Sequence, residues 1–445
     1  MPSRRFLSPE VTLHLSDWVR RRALPLTGRL DDFDDVMDLV GDRSIVMIGE
    51  ASHGTADFYS TRARLTQRLI AEKGFNLVAI EGDWPDALGV NRFVKGGPGT
   101  ARDSLRGFRR YPTWMWRNTT VLAFIEWLRA FNDGMGLQRP KVGFYGLDVY
   151  SLHASMEAVL RFLRRVDPRA ADVARQRFAC FEPFGEDTQR YALQAHYLSQ
   201  SCEDEVVQTL VDLQQRRWRY VSETSSEAVF EAEMNALAVM DAERYYRAML
   251  ASDASSWNLR DRHMTTVLER LLAHFGPTTK AVLWEHNTHI GDFRATGEAQ
   301  DGYLNIGQLV REQYGEQAVA VGFGTHRGTV TCSSEWDGVA EFKRVPPARP
   351  GSYEDVFHQS GVPNFYMRLK GLEPRDMPDG WLFQPQDERA IGVVYFPERE
   401  DYGNYLSSRL ANRYDAYFFF DESLAVEPLD PGPEPPGLET YPMGL

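Results

Sequence analysis

The sequence predicts an α/β protein with a mostly parallel central sheet, flanked by helices and carrying a large all-helical insertion. Short apolar runs at 44–48 and 76–80 are separated by a helical pattern, which is typical of parallel strands joined by a crossover helix. Helical periodicity then continues through 151–275, and the next strand-like run is 280–285. The strands of the predicted sheet therefore come from both sides of the insertion.

This pattern divides the chain into four parts. Residues 1–150 hold N-terminal accessory helices and the first part of the α/β core, and residues 151–275 form the helical insertion. Residues 276–430 supply the second part of the core. The rest, 431–445, is rich in Pro and Gly, and we expect it to be a flexible tail.

Composition limits the classes of partner. The net charge of −13 argues against nucleic acid or an anionic membrane as the main partner. No apolar run approaches the length of a membrane span, and the N-terminus lacks the apolar segment of a signal peptide. We therefore expect a cytoplasmic protein that acts on a small molecule. The oligomeric state stays open.

The three cysteines are Cys180, Cys202 and Cys332. Their number is odd and their spacings are wide, so they match neither a disulfide framework nor a CxxC metal site. We expect three free, buried thiols.

The first predicted strand leads into a glycine-flanked turn that holds Glu50 and His53. A helix is predicted to follow over 55–73. Arg62 lies on the apolar, inward-facing stripe of this helix, which is unusual for a charged residue. A carboxylate, an imidazole and a guanidinium are thus predicted near the end of one strand.

The next two predicted strands also end in carboxylates. Glu81 follows the strand at 76–80, and Asp148 follows the strand at 141–147. The first two strands and the helix between them form a parallel βαβ unit, so Glu50 and Glu81 are expected at the same edge of the sheet. Ligands of α/β proteins bind at this edge.

Two histidines, His286 and His289, follow the strand that resumes after the insertion. Four strands ending in titratable residues predict a site in which neighbouring charges shift one another's pKa values. The H-x-x-H spacing also suits zinc. We favour metal-free acid–base chemistry without a cofactor and keep a metal-dependent hydrolase or peptidase as the alternative. A non-catalytic binding protein for a small molecule such as haem is the third hypothesis.

The segment 96–118 is glycine-rich and then basic and aromatic. Its rings, including Trp114 and Trp116, are expected either to line a substrate cleft with Asp148 or to pack the insertion onto the core. The helix predicted at 259–275 begins near Asn258, Arg260 and Asp261, for which we consider a structural ion pair or a substrate contact and favour the ion pair.

Two motifs carry a family resemblance: IGEASHGTADFYSTRARLTQRLIAEKGFNLVAIEGDWPDA and LWEHNTHIGD. They resemble the erythromycin esterase family, and most closely its broad, poorly characterised branch rather than the macrolide-resistance enzymes. The resemblance implies an α/β core with a helical insertion and hydrolysis of an ester or lactone by activated water without a metal. Position by position, it implies a catalytic set of Glu50, His53, Arg62, Glu81, His286 and His289.

These residues predict a division of labour. His53 is the expected general base, oriented by Glu50, and Glu81 is a second base or holds the water. Arg62 and one of the two histidines are expected to stabilise the oxyanion, and the other histidine to protonate the leaving alcohol. Glu285 stands where relatives often have a small residue, and we expect it to add a negative charge beside the histidine pair.

Overall fold

A mixed nine-stranded sheet forms the centre of the computed structural model, which describes residues 8–136, 140–185, 188–198, 201–250 and 252–430. The predicted tail, 431–445, lies outside the described residues. The strands are β1 (Leu24–Pro25), β2 (Ile45–Ile48), β3 (Leu77–Asp83), β4 (Gly143–Asp148), β5 (Ala281–Trp284), β6 (Ala318–Cys332), β7 (Glu341–Val345), β8 (Asn364–Arg368), β9 (Gln386–Arg389), β10 (Tyr405–Ser408) and β11 (Ala416–Ser423).

The order of the sheet is β1-β8-β11-β6-β2-β5-β3-β4, and β7 pairs with β6 beyond this path. The six strands from β11 to β4 run parallel to one another. β8 is antiparallel to β11 and to β1, and β9 and β10 form a separate ribbon. The predicted α/β class with a mostly parallel sheet is confirmed.

Strand order brings distant parts of the chain together. β5, which follows the insertion, lies between β2 and β3 and pairs with both. The carboxyl end of β5 therefore separates the ends of the two strands that precede the insertion. Because of this order, the segment after β5 that contains His286 and His289 lies between Glu50 and Glu81.

Helices cover both faces of the sheet. Those of the first part of the core are α1 (Pro9–Arg22), α2 (Asp34–Val40), α3 (Ala56–Lys73), α4 (Trp84–Val94), α5 (Ala101–Ser104) and α6 (Thr119–Gly134). Those of the second part are α14 (Asn287–Ile290), α15 (Ile306–Tyr314), α16 (Tyr353–Gln359), α17 (Glu400–Gly403) and α18 (Leu410–Arg413).

Between β4 and β5, the described residues form seven helices: α7 (Leu152–Val166), α8 (Pro168–Phe178), α9 (Thr188–Leu198), α10 (Glu203–Gln215), α11 (Arg217–Glu223), α12 (Ser226–Ala248) and α13 (Asp253–Phe275). α12 packs against α7, α9, α10 and α13 and is buried on most of its circumference. A helix that is apolar on nearly all sides is expected at the centre of a helical layer.

Alternate residues of each strand point to opposite faces of the sheet. Ile45 and Met47 of β2 pack into the core shared with the insertion helices. Val46 and Ile48 pack into a second core shared with α3 and α6. The sheet is therefore the middle of three layers, and this arrangement explains why its strands are apolar on both faces.

Several local patterns predict elements that the structure does not have. Helical periodicity over 189–213 predicts one helix, but the segment contains two, α9 and α10. The run at 390–394 predicts a strand, but it forms only a pair of isolated bridges, because the chain leaves the β9–β10 ribbon at Arg389. The runs at 318–324 and 328–332 predict two strands, but they form one continuous strand, β6, which pairs with β2 and then with β7.

The expectation of three free thiols is also wrong. Cys180 and Cys202 form a disulfide with their Cα atoms 6.0 Å apart, and Cys332 alone is a free, buried thiol. Cys180 lies in a short 3₁₀ helix after α8, and Cys202 precedes α10. The fold of the insertion brings together two residues that are distant in the sequence. In the described ranges, every helix falls short of the length or apolarity required to cross a membrane.

Candidate active site

Three of the predicted strand-end residues, His53, Glu81 and Asp148, line a cavity at the carboxyl edge of the parallel strands, whereas Glu50, His286 and His289 lie outside its lining. The cavity measures about 740 Å³, counting its open mouth. Its charged and titratable lining is His53, Glu81, Asp83, Asp86, Arg110, Asp148 and Arg260. Its aromatic lining is Phe108, Tyr111, Trp116, Tyr150 and Trp336. Aromatic walls with a few convergent polar groups are typical of small-molecule sites.

His53 is held by the carboxylate that precedes it in the turn after β2. Its Nδ1 lies 3.1 Å from Oε1 of Glu50, and both side chains are buried. Because the carboxylate only accepts, Nδ1 carries a proton, and Nε2 is the atom that holds the lone pair of a neutral ring. His53 also lines the cavity.

Arg62 holds the other oxygen of Glu50. The Nη2 of Arg62 lies 3.1 Å from Oε2 of Glu50, and both residues are fully buried. The guanidinium lies 4.2 Å from the ring centroid of Tyr59 and 5.1 Å from that of Trp284. Cation–π contacts and one carboxylate therefore compensate for the burial of this arginine. Arg62 does not line the cavity, so its contacts are those of a residue that positions Glu50.

Glu81 lies within β3 and accepts hydrogen bonds from two directions. Its Oε2 accepts from the backbone N–H of His286 at 2.8 Å, and its Oε1 accepts from Nη2 of Arg260 at 2.8 Å. Burial alone would raise the pKa of this carboxyl, but the charges of His289, His53 and Arg260 hold it well below its ordinary value. Glu81 is therefore an ionised carboxylate in the cavity wall.

Arg260 of α13 forms a bidentate pair with Asp148 at the end of β4. Its Nε and Nη2 donate to the two carboxylate oxygens at 2.9 and 2.6 Å. The guanidinium also lies 5.0 Å from the ring centroid of Tyr150. We expected a structural ion pair at Arg260; the structure places that pair in the cavity wall. Asp148 lines the cavity as expected, but its carboxylate is engaged by Arg260.

His289 is enclosed by acids. Its Nδ1 lies 3.0 Å from Asp261, its Nε2 lies 3.4 Å from Glu81, and its ring stacks on Trp257. Burial opposes the charged ring, but the two carboxylates raise the pKa of His289 to about 10. Nη1 of Arg260 lies 2.9 Å from Nε2, a contact that favours a lone pair there. The two carboxylates outweigh this single contact, so we assign a protonated ring at neutral pH.

We refer to Glu81, Asp148, Arg260, Asp261 and His289 as the charge network. Its three carboxylates face two cations, and each cation contacts two of the carboxylates. The network joins β3, β4, α13 and α14, and its members Glu81, Asp148 and Arg260 line the cavity, whereas Asp261 and His289 do not. Because its members come from four separate elements, it depends on the complete fold.

The surroundings of His286 favour a neutral ring, in contrast to those of His289. Its Nδ1 accepts from the backbone N–H of Thr288 at 3.3 Å and lies 2.8 Å from the hydroxyl of the same residue. Burial is the main cause that lowers the pKa of His286 well below its ordinary value. The ring is therefore neutral with its proton on Nε2. The backbone of Ala51 interacts with this ring, and the ring centroid lies 4.7 Å from that of His53.

The two histidines therefore do not share a ligand. His286 binds Thr288, whereas His289 binds Asp261 and contacts Arg260. Across the described ranges, no three His, Cys, Asp or Glu side chains are grouped so that they could hold a metal ion. The H-x-x-H spacing suits zinc in sequence, but the side chains point to separate partners and do not fit a metal.

The two tryptophans predicted to bind substrate differ in position. Trp116 lines the cavity, and its Nε1 donates to the backbone oxygen of Glu81 at 3.1 Å. Trp114 is buried in the core between the sheet and α6 and does not line the cavity. Trp116 therefore lines the cavity, whereas Trp114 packs in the core on the face of the sheet away from the insertion and does not join the insertion to the sheet.

Some lining residues were not predicted to belong to the site. Asp83 and Asp86, from the EGDWPDA motif, form ion pairs with Arg110 across the cavity. Trp336 enters from the loop between β6 and β7, far along the chain. The motif was a usable signal for the two aspartates. Nothing local to Trp336 indicates a role in the site.

Comparison with known proteins gives a consistent result. A family model described as Erythromycin esterase matches residues 70–423. Erythromycin esterase type II of Escherichia coli is 22% identical over 93% of this chain and 99% of its own length. A Bacillus subtilis protein named Putative hydrolase YbfO is 20% identical over 85% of this chain and 86% of its own length.

Solved structures share the fold. A succinoglycan biosynthesis protein superposes with a TM-score of 0.77 at 19% identity, covering 95% of this chain and all of that one. A protein from Bacillus cereus gives 0.75 at 20% identity over 94% and 99% of the two chains. A mutant of erythromycin esterase EreC in its open conformation gives 0.65 at 14% identity over 90% and 96%. At these identities the similarity shows the fold alone.

Proposed function

Because the chain belongs to the erythromycin esterase family, we propose that it is a hydrolase that cleaves a carboxylic ester or lactone with water activated by His53. One observation carries the proposal. His53, held by Glu50, lines a cavity whose wall also contains Glu81, Asp148 and Arg260 of the charge network. A candidate base therefore lines the cavity, and the candidate acid His289 contacts Glu81 and Arg260 in its wall.

The first step is attack by water. Nε2 of His53 takes a proton from the water as its oxygen bonds to the carbonyl carbon. The carbonyl π electrons move to the carbonyl oxygen, which becomes an oxyanion. Glu50 stabilises the imidazolium that forms on His53, and Arg62 keeps Glu50 in place. The carboxylate of Glu81, in the cavity wall, is the candidate to orient the water.

The second requirement is a donor for the oxyanion. His286 is the candidate because its neutral ring carries a proton on Nε2. A prealigned donor of this kind contributes roughly 10²–10³ in rate. The sequence left open which of the two histidines plays this part. The hydrogen bond from Thr288 to Nδ1 supports His286.

The third requirement is an acid for the leaving alcohol. His289 is protonated through its contacts with Asp261 and Glu81 and can release that proton to the departing oxygen. Collapse of the oxyanion breaks the bond to the leaving alkoxide, which takes the proton from His289. The proton gained by His53 returns to solvent and His289 is reprotonated. The sum is ester plus water to acid plus alcohol.

The lining of the cavity and the relatives indicate which substrate classes to test. Five aromatic rings in the cavity lining provide apolar contact area for a small molecule. The name of the E. coli relative refers to erythromycin, so macrolide lactones are one class to test. Short acyl esters and metabolite lactones are the other. A macrolide substrate would make the protein an antibiotic-resistance enzyme.

A hydrolysis screen tests the proposal. The purified protein is incubated with p-nitrophenyl acyl esters, simple lactones and macrolides, and products are identified by a mass gain of one water. A His53→Asn variant, which keeps the shape of the side chain but removes the base, is the matched control. We expect at least one substrate to be hydrolysed by the wild type and not by the variant. Equal turnover by both proteins would refute the proposal.

A further inference from the structure

Glu285 is a buried acid that the proposed mechanism does not use. It lies between the end of β5 and His286, and none of its surface is exposed. The preceding residue, Trp284, packs against Arg62 and Phe124 on one face of the sheet. Successive residues of an extended chain point to opposite faces, so Glu285 points to the face that carries α13 and α14.

Neither carboxyl oxygen of Glu285 has a hydrogen-bond partner within the described residues. An ionised carboxylate requires donors or a cation when it is removed from water, and without them its burial is very costly. A neutral carboxylic acid requires far less. The geometry therefore disfavours a charge at this position.

The charges around Glu285 lead to the same conclusion. The groups that interact with it are Glu81 from β3, Arg260 and Asp261 from α13, and His289 from α14. Both cations already contact carboxylates of the charge network, which carries one more acid than base. No cation is left to compensate a fourth carboxylate. Burial, reinforced by Glu81 and Asp261, raises the pKa of Glu285 well above its ordinary value.

We propose that Glu285 is a positioning residue that serves this site as an uncharged carboxylic acid beneath the charge network. It fills the space under the network without changing the network's charge. An ionised Glu285 would hold the proton of His289 more tightly and so weaken that histidine as an acid. The sequence led us to expect a negative charge at Glu285, whereas the proposal makes this side chain neutral. The inference rests on the proposed function only in treating His289 as the acid.

The test needs no substrate, so its failure is distinguishable from failure of the proposed function. Unfolding of the wild type and of Glu285→Gln is measured in denaturant across a pH series. Above the ordinary pKa of glutamate, the native wild type retains a proton that the unfolded chain releases. The unfolding constant of the wild type should therefore rise tenfold per pH unit relative to the variant, up to the native pKa.

Two other glutamates calibrate the measurement. Glu354 is buried with a pKa raised to about 7, so Glu354→Gln should show the same slope, levelling off near that pH. Glu126→Gln, at an exposed position on α6, is the matched control that leaves the charge network untouched. A difference between wild type and Glu285→Gln that is flat with pH would overturn the proposal. A Glu285→Gln protein that fails to fold would overturn it as well, because an amide closely replaces an uncharged carboxyl.

A spectroscopic signature gives a second readout. The infrared difference spectrum of wild type minus Glu285→Gln at neutral pH should contain the C=O stretching band of a protonated carboxylic acid. A carboxylate band in its place would show that Glu285 is ionised and would overturn the proposal.

Discussion

Substitution of Asp261 should change the acid of the site without removing it. Asp261 binds Nδ1 of His289 at 3.0 Å and is fully buried, and Asn can still accept that hydrogen bond. The charge, however, is lost. Asp261→Asn should therefore lower the pKa of His289 from about 10 towards its ordinary 6.5.

The magnitude follows from that interval. A shift of about three and a half pKa units corresponds to about 5 kcal/mol. Glu81 remains beside the ring, so only part of this shift is lost. If the pKa of His289 falls by about two units, the decline of kcat/KM at high pH, its alkaline limb, should begin about two pH units lower, because the acid is active only while protonated.

The raised pKa of His289 also determines how the free energy of unfolding depends on pH. His289 has a native pKa above its unfolded value, so its contribution is complete below about pH 6.5 and is lost as the pH rises towards 10. Unfolding free energy of the wild type should fall across this interval, and the fall should be smaller in Asp261→Asn.

Kinetics and NMR titration of the histidine ring check this prediction. The matched control is Asp241→Asn, because Asp241 binds Nδ1 of His263 at 2.8 Å in another buried pair that does not line the cavity. The control should leave the alkaline limb in place. An unchanged alkaline limb in Asp261→Asn would refute the assignment of His289 as the acid.

Three further predictions concern other parts of the account. Arg260→Lys should lower kcat/KM and cost about 1.5–3 kcal/mol of stability, because an ammonium cannot reproduce the bidentate contact with Asp148. Arg20→Lys, at an exposed position, is the control and should have neither effect. Equal losses of stability for the two variants in urea unfolding would contradict the prediction. Chelator treatment should leave hydrolysis unchanged, since the histidines of the site bind separate partners, and loss of activity that added metal restores would favour the metal-dependent alternative. Titration of the denatured, unreduced protein should detect one thiol, from Cys332, whereas three would show that the Cys180–Cys202 disulfide is absent.

The sequence predicted the parts of the site that local patterns encode. Apolar runs of strand length marked β2, β3, β4 and β5, and three of the titratable residues after or within them, His53, Glu81 and Asp148, line the cavity. Arg62 was identified because a charge on an apolar helical stripe requires a partner. That partner is Glu50.

Features that depend on tertiary arrangement could not be predicted. Nothing in the local pattern indicates that β5 lies between β2 and β3, because strand order is set by the packing of the insertion and the crossover helices. The same holds for Arg260, whose helical periodicity is consistent with an ordinary surface ion pair. The disulfide is a similar case, since Cys180 and Cys202 are brought together only by the fold of the insertion.

The two histidines show a further limit. They are three residues apart and chemically identical, yet one is neutral and the other protonated. Thr288 fixes the tautomer of His286, whereas acids from two other elements surround His289. Hydrogen-bond partners from distant elements, rather than the spacing, decide the pKa of each ring.

The central claim is that His53 activates the attacking water. The most direct measurement is kcat/KM of wild type and His53→Asn on one ester substrate, with circular dichroism to verify that both proteins are folded. Removal of a general base should reduce the value by roughly 10²–10⁴. A folded variant within a few-fold of the wild type would contradict the account.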